Sequence, residues 1–170
     1  MEHTQVRTEK VSVRTRYTAT CFDQHGRLKW QESGENLVVT EGRNTLLDCC
    51  VKTIPSSVAW YVGLKGTGTV DPADVMNSHA GWSEITPYSN ATRPAFTPGT
   101  IAAGAVSNSA SKAVFNINAT ATVYGAMLSS NNTKGGTTGL LYGAGNFTTE
   151  RGVASGDTLN VQVDLSITAS

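Results

Sequence analysis

The chain has no excess of charge, no long apolar run and few cysteines, and each absence removes a class of function. Thirteen Lys and Arg balance 13 Asp and Glu across 170 residues, for a formal charge of zero. Affinity for phosphate draws on a net positive face, so a nucleic-acid partner is not expected. No segment approaches the roughly 18 consecutive apolar residues that span a bilayer. Met1-Glu2-His3-Thr4-Gln5 lacks the positive patch and apolar stretch of a secretory signal. The expectation is a soluble protein, made in the cytoplasm, with no membrane partner. Cys21, Cys49 and Cys50 are odd in number and show no CxxC spacing, while His3, His25 and His79 are scattered. The thiols therefore read as buried, reduced, small hydrophobic side chains, with no metal site.

Catalytic signatures are missing as well. The sequence holds no GxSxG, HExxH, P-loop or GxGxxG. Gly66-Thr67-Gly68 lacks the third glycine and the following helix that a phosphate cradle needs. Asp71 and Asp74 flank a proline loop but fall short of a calcium shell, and Asp74 reads instead as the N-cap of a single helical turn over residues 74–79. His79 and Trp82 share a loop near Glu84, but a general base needs a partner and a nucleophile within reach. The reading is a protein that is not an enzyme and uses no cofactor. Asn-x-Ser/Thr sequons at Asn90, Asn118, Asn131 and Asn146 follow from a Thr-rich composition without a signal peptide.

What is present is β-forming pattern. Gly, Ser, Thr and Asn make up about two-fifths of the chain, well above ordinary usage. Residues 11–21 alternate, with Arg14 and Arg16 on the wet face, and the turn Asp23-Gln24-His25-Gly26 leads to a second strand carrying Leu28 and Trp30. A short third strand follows at Leu37-Val38-Val39. Thr40 is placed to cap a helix over residues 41–52, with Glu41 in its first turn and Leu46, Leu47, Cys49, Cys50 and Val51 as its apolar face, ended by Ile54-Pro55. Residues 58–64 suit a buried strand. Residues 65–99, with Pro72, Pro87, Pro94 and Pro98, read as a long loop lying across the domain, able to hold only short or edge strands. Strands return over 113–118, 122–128 and 140–147. Residues 159–167 alternate most cleanly, with Leu159, Val161, Val163, Leu165 and Ile167 facing one way. The expected fold is mainly β, an antiparallel β-sandwich of jelly-roll-like form, as a single domain over residues 11–170 behind a flexible N-terminal arm, residues 1–10.

Several blocks, in the same order along nearly the whole chain, resemble a family of small structural proteins of tailed bacteriophages. They are Leu28-Lys29-Trp30, then Glu35-Asn36-Leu37-Val38-Val39-Thr40-Glu41-Gly42, Trp60-Tyr61-Val62-Gly63-Leu64 and Ser78-His79-Ala80-Gly81-Trp82-Ser83-Glu84. Tyr88-Ser89-Asn90-Ala91-Thr92-Arg93-Pro94 and Asn108-Ser109-Ala110-Ser111-Lys112-Ala113-Val114-Phe115 follow, and the series closes on Gly135-Gly136-Thr137, Leu141-Tyr142-Gly143 and Ser155-Gly156-Asp157-Thr158-Leu159-Asn160-Val161. The resemblance implies a virion component without catalytic residues, most like a capsid decoration (cement) protein. Its expected partner is the major capsid protein, with self-association on the particle. A neck, collar or tail component, including a host-receptor-binding module, is the alternative, and a cell-wall hydrolase is a third reading from another class. A cement protein bridges subunits already held near one another, so many weak contacts add by avidity. On this reading Trp82, Tyr88, Arg93 and His79 form the candidate interface, with Trp30 and Trp60 in the core and the N-terminal arm ordering on a partner.

Overall fold

The computed structural model describes residues 10–52 and 58–169. Apart from Lys10, the expected N-terminal arm lies outside the described residues, as does the helix-ending Ile54-Pro55. Ten strands and one helix follow in the order β1 (Val11–Phe22), β2 (Leu28–Glu35), β3 (Leu37–Val38), α1 (Thr40–Val51), β4 (Tyr61–Gly68), β5 (Trp82–Ile85), β6 (Ala105–Ser107), β7 (Ala113–Asn116), β8 (Ala121–Ser129), β9 (Leu141–Val153) and β10 (Thr158–Ala169).

These strands build two antiparallel sheets, giving the expected sandwich. One runs β2-β1-β10-β6, with β7 also pairing β10, and the other runs β3-β9-β8-β4-β5. The longest ladder joins β1 to β10, from Val11 opposite Ala169 to Phe22 opposite Thr158. Period-2 alternation fixes which side chains enter the core. Tyr17, Ala19 and Cys21 of β1 and Leu159, Val161 and Val163 of β10 meet Val62 and Leu64 of β4 and Tyr142 and Phe147 of β9. Burying a side chain of this size contributes about 1.5–3 kcal/mol. Arg14 and Arg16 stay exposed, as the alternation requires. The pattern fades toward the end of β10, where Leu165 is half-buried and Ile167 is 49% exposed. Trp30 and Trp60 sit at the rim of the core, half-buried, rather than inside it. Trp30 is held there by its Nε1–H, which donates to the Gly152 carbonyl at 3.0 Å.

Helix α1 departs from expectation in three ways. Its N-cap is Val39, which makes no side-chain cap, and Thr40 is the first helical residue. The Thr40 hydroxyl instead accepts from Arg43 Nη2 at 2.9 Å, and Arg43 Nη1 reaches back to the Val38 carbonyl at 2.8 Å. The apolar face is not buried: Leu47 is 61% and Val51 77% exposed, Leu46 is half-buried, and only Gly42 is fully covered. Cys49 and Cys50 are exposed for the same reason, and only Cys21 is a buried thiol. The helix is attached at its first turn. Glu41 Oε2 accepts from the Leu141 backbone N–H at 2.7 Å, and at Gly42 an added Cβ would lie 2.0 Å from the Tyr142 carbonyl oxygen.

The stretch over 65–99 is also more ordered than a loop. β4 continues through Lys65-Gly66-Thr67-Gly68, and β5 adds an edge strand to the second sheet. Residues 74–79 form a tight turn with Val75 and Ser78 bridging each other, not a helical turn.

Candidate functional site

The outer face of the second sheet carries a small core of its own. Residues of β4, β8 and β9 that point away from the sandwich interior include Gly63, Met127 and Ala144, which are register neighbours across the three strands. Residues 69–81 fold over this face, and Val39, Met76, Trp82, Met127, Leu141 and Ala144 pack into one buried cluster. Trp82 leads into the sheet as the first residue of β5, so its ring faces this cluster rather than solvent.

Polar groups complete the packing. Trp82 Nε1–H donates to Asp74 Oδ2 at 2.8 Å, and the same oxygen accepts the Asp71 backbone N–H at 2.9 Å. Asp74 therefore ties the cover to the strand instead of capping a helix. The His79 ring stacks on Trp82 with centroids 4.1 Å apart and planes 21° from parallel. Lys65, wholly buried, aims its amine past the Trp82 ring at 5.7 Å from the centroid. That amine donates to the Gly68 carbonyl at 2.6 Å, the Gly66 carbonyl at 3.1 Å and Asn146 Oδ1 at 2.7 Å. Burial pulls the Lys65 amine down to about 8, and the negative charge of Asp74 opposes that fall.

Next to this cluster lies a buried ion pair. Arg93 is 1% exposed and forks onto Glu84, with Nε to Oε1 at 2.9 Å and Nη2 to Oε2 at 2.8 Å. The guanidinium also donates to the Asn131 carbonyl at 2.8 Å and the Gly136 carbonyl at 2.9 Å, while Glu84 Oε2 accepts the Gly135 N–H. One arginine thus clamps the loop between β8 and β9 to the edge strand, in the bidentate geometry that guanidinium and carboxylate favour. Tyr88, fully buried, meets Phe115 edge-to-face at 5.0 Å, and Lys134 Nζ lies 4.6 Å from its ring centre while donating to the Tyr88 and Asn90 carbonyls. Burial, with the charge of Glu84 nearby, holds the Tyr88 phenol well above its ordinary range.

Of the four residues expected at an interface, Trp82, Tyr88 and Arg93 point inward, and His79 is half-buried. The structure brings Trp82 and His79 together and sets Arg93 beside them through Glu84, but as internal ties, because the Trp82 indole, the His79 Nδ1 and the Arg93 guanidinium have all found partners within the chain; the buried Tyr88 hydroxyl has none among the described residues. Their accessible margin is a shallow, open cleft of about 470 Å³ between His79, Trp82, Glu84, Gly135 and Gly136. Sequence reasoning missed Lys65 and Asn146. The signal was available in parity: Gly63 and Lys65 lie two apart on a strand whose other face, Val62 and Leu64, is apolar.

A second feature is apolar. At the end of the sandwich where β10 finishes, Leu46, Trp60, Phe96, Ile101, Tyr142 and Leu165 line an open cavity of about 310 Å³. Trp60 stands edge-on to Tyr142 at 5.6 Å, and Ile101 is 74% exposed at the rim. Among the described residues no three His, Cys, Asp or Glu side chains are grouped to hold a metal ion, and no helix is long and apolar enough to cross a membrane. No protein-family model matches the chain, and no curated protein matches it.

Proposed function

We propose that this chain is a structural protein of a tailed-bacteriophage virion, specifically a capsid decoration (cement) protein that binds the outer shell and bridges neighbouring major capsid subunits. The ordered series of residue blocks resembling that family carries the reading. The blocks include the sandwich's interlocking parts: Trp60 to Leu64 runs into β4, Trp82 and Glu84 lie in β5, and Arg93 and Gly136 share the guanidinium clamp. Segments of that kind keep a fold, which suits a family defined by assembly rather than by a catalytic site.

Because Trp82 is buried, the proposal sets the contact surface elsewhere. A partner meets the exposed apolar groups instead: Leu47 and Val51 on α1, and Ile101 and Ile167 near the cavity at the sandwich end. Contacts of this size are weak singly and strengthen when many copies bind a lattice whose subunits are already in place. Copy number tests the proposal. Quantitative mass spectrometry of purified particles is expected to give one copy per major capsid protein or a simple fraction such as a third. A handful of copies per particle assigns the chain to the neck, collar or tail, including a host-receptor-binding module. Absence from particles overturns both.

A further inference from the structure

We propose that Lys65 and Asn146 are the partners of an intramolecular isopeptide bond that joins β4 to β9 across β8. Register brings them together. Lys65 pairs with Gly125, and Gly125 pairs with Asn146, so the three form one row on the outer face of the second sheet. Gly125 is required at the centre, because an added Cβ would lie 1.9 Å from the Gly145 carbonyl oxygen. With no side chain on the middle strand, the lysine amine reaches over β8 and touches the asparagine amide at 2.7 Å.

The chemistry of the row fits amide exchange. Lys65 is fully buried and forms no salt bridge among the described residues; the three oxygens it donates to favour the ammonium, burial opposes it, and the nucleophile is the fraction that has lost one proton. Desolvation of that kind makes a lysine nucleophilic near neutral pH. Glu84, the register partner of Lys65 on β5, is already forked to Arg93, which leaves Asp74 as the carboxylate whose charge acts on the amine. The Asn146 amide is held at both ends: its oxygen by Lys65, its Nδ2 by the Gly68 carbonyl at 3.3 Å. Holding two reactants in contact replaces a bimolecular encounter by an intramolecular one. Attack needs Nζ above the amide plane, which a turn about the soft Cβ–Cγ torsion provides.

The reaction balances without a cofactor. The neutral amine bonds to Cγ, the Cγ–Nδ2 bond breaks, and one amine proton passes to the departing nitrogen, which leaves as ammonia. Asn146 is exposed, so ammonia has a path to solvent and the reverse reaction is not favoured. Nothing is oxidised or reduced.

Intact-mass spectrometry of the purified full chain tests this directly. The expected mass is that of the sequence less one ammonia, and peptide mapping is expected to recover one branched peptide containing both Lys65 and Asn146. Lys65→Arg and Asn146→Ser are each expected to restore the mass calculated for the unlinked variant. A wild-type mass equal to that of the sequence overturns the proposal, whether or not either variant folds. A deficit that maps to a different residue, such as a cyclised asparagine elsewhere, overturns it equally.

Discussion

Helix α1 satisfies its own backbone hydrogen bonds yet buries only Gly42, whereas residues 69–96 have little regular structure and hold Met76, Trp82, Tyr88 and Arg93 out of solvent. The contrast separates regularity from anchorage. A helix can form on local bonds and touch its domain through one turn. An irregular segment must find partners for most of the backbone and side-chain polar groups it buries, and those partners fix it in place, the Tyr88 hydroxyl being an exception here. In this protein the partners are Asp74 for Trp82, Glu84 for Arg93, and the carbonyls of Asn131 and Gly136 for the remaining guanidinium hydrogens.

If anchorage follows buried polar partners, the largest loss comes from the clamp. Arg93→Ala leaves Glu84 buried without its counter-charge and is expected to cost about 3–5 kcal/mol, read as a lowered urea midpoint. Trp82→Phe keeps most of the ring but removes the donor to Asp74, at an expected cost of about 1.5–3 kcal/mol in the same assay. At the helix, only the seat of the first turn is expected to respond. Gly42→Ala gains about 1 kcal/mol of helix propensity but drives a Cβ into the Tyr142 carbonyl, and the net change is expected to be a loss of about 1–2 kcal/mol. Leu47→Ser and Val51→Ser, on the exposed face, are expected to stay within about 0.5 kcal/mol of wild type. A large effect from either serine variant would show that the helix is anchored in the isolated chain after all. The smallest perturbation is chemical: Cys49 and Cys50 are expected to react with a thiol reagent in the native protein. Cys21 is expected to stay protected until unfolding, because burial, chiefly, pushes its thiol up to about 12.

The elements whose pattern has period 2 were legible. Alternation named the inward side chains of β1 and β10 correctly over residues 15–21 and 159–163, since a strand with one buried face repeats every second residue, but not at the outer end of β1, where Val11 is 63% exposed. The helix was legible as an element but not in its burial. Leu46, Leu47, Cys49, Cys50 and Val51 form an apolar stripe whether or not anything covers it, and pattern carries no information about the opposite surface. The stretch over 65–99 misled for a related reason. Proline and glycine signalled a break in regular structure, and a break was taken for exposure. What buries Trp82 and Arg93 is pairing with Asp74 and Glu84, which is set by three-dimensional register and leaves no local mark. The candidate interface was therefore the least legible part, because aromatic and arginine side chains serve internal ties and contact surfaces equally well.

The pairing of β1 with β10 has a mechanical consequence. Val11 stands opposite Ala169 and Phe22 opposite Thr158, so the outer ends of the two strands leave the sheet side by side. A pull that separates those two ends loads the ladder one residue pair at a time, as a zip is opened, and each step uncovers more of the core that Tyr17 and Val163 close. A pull along the strands from opposite ends of the sandwich instead loads the whole ladder in shear. The protein is therefore expected to resist tension very differently along these two directions, and an attachment that spans its two ends uses the stronger one.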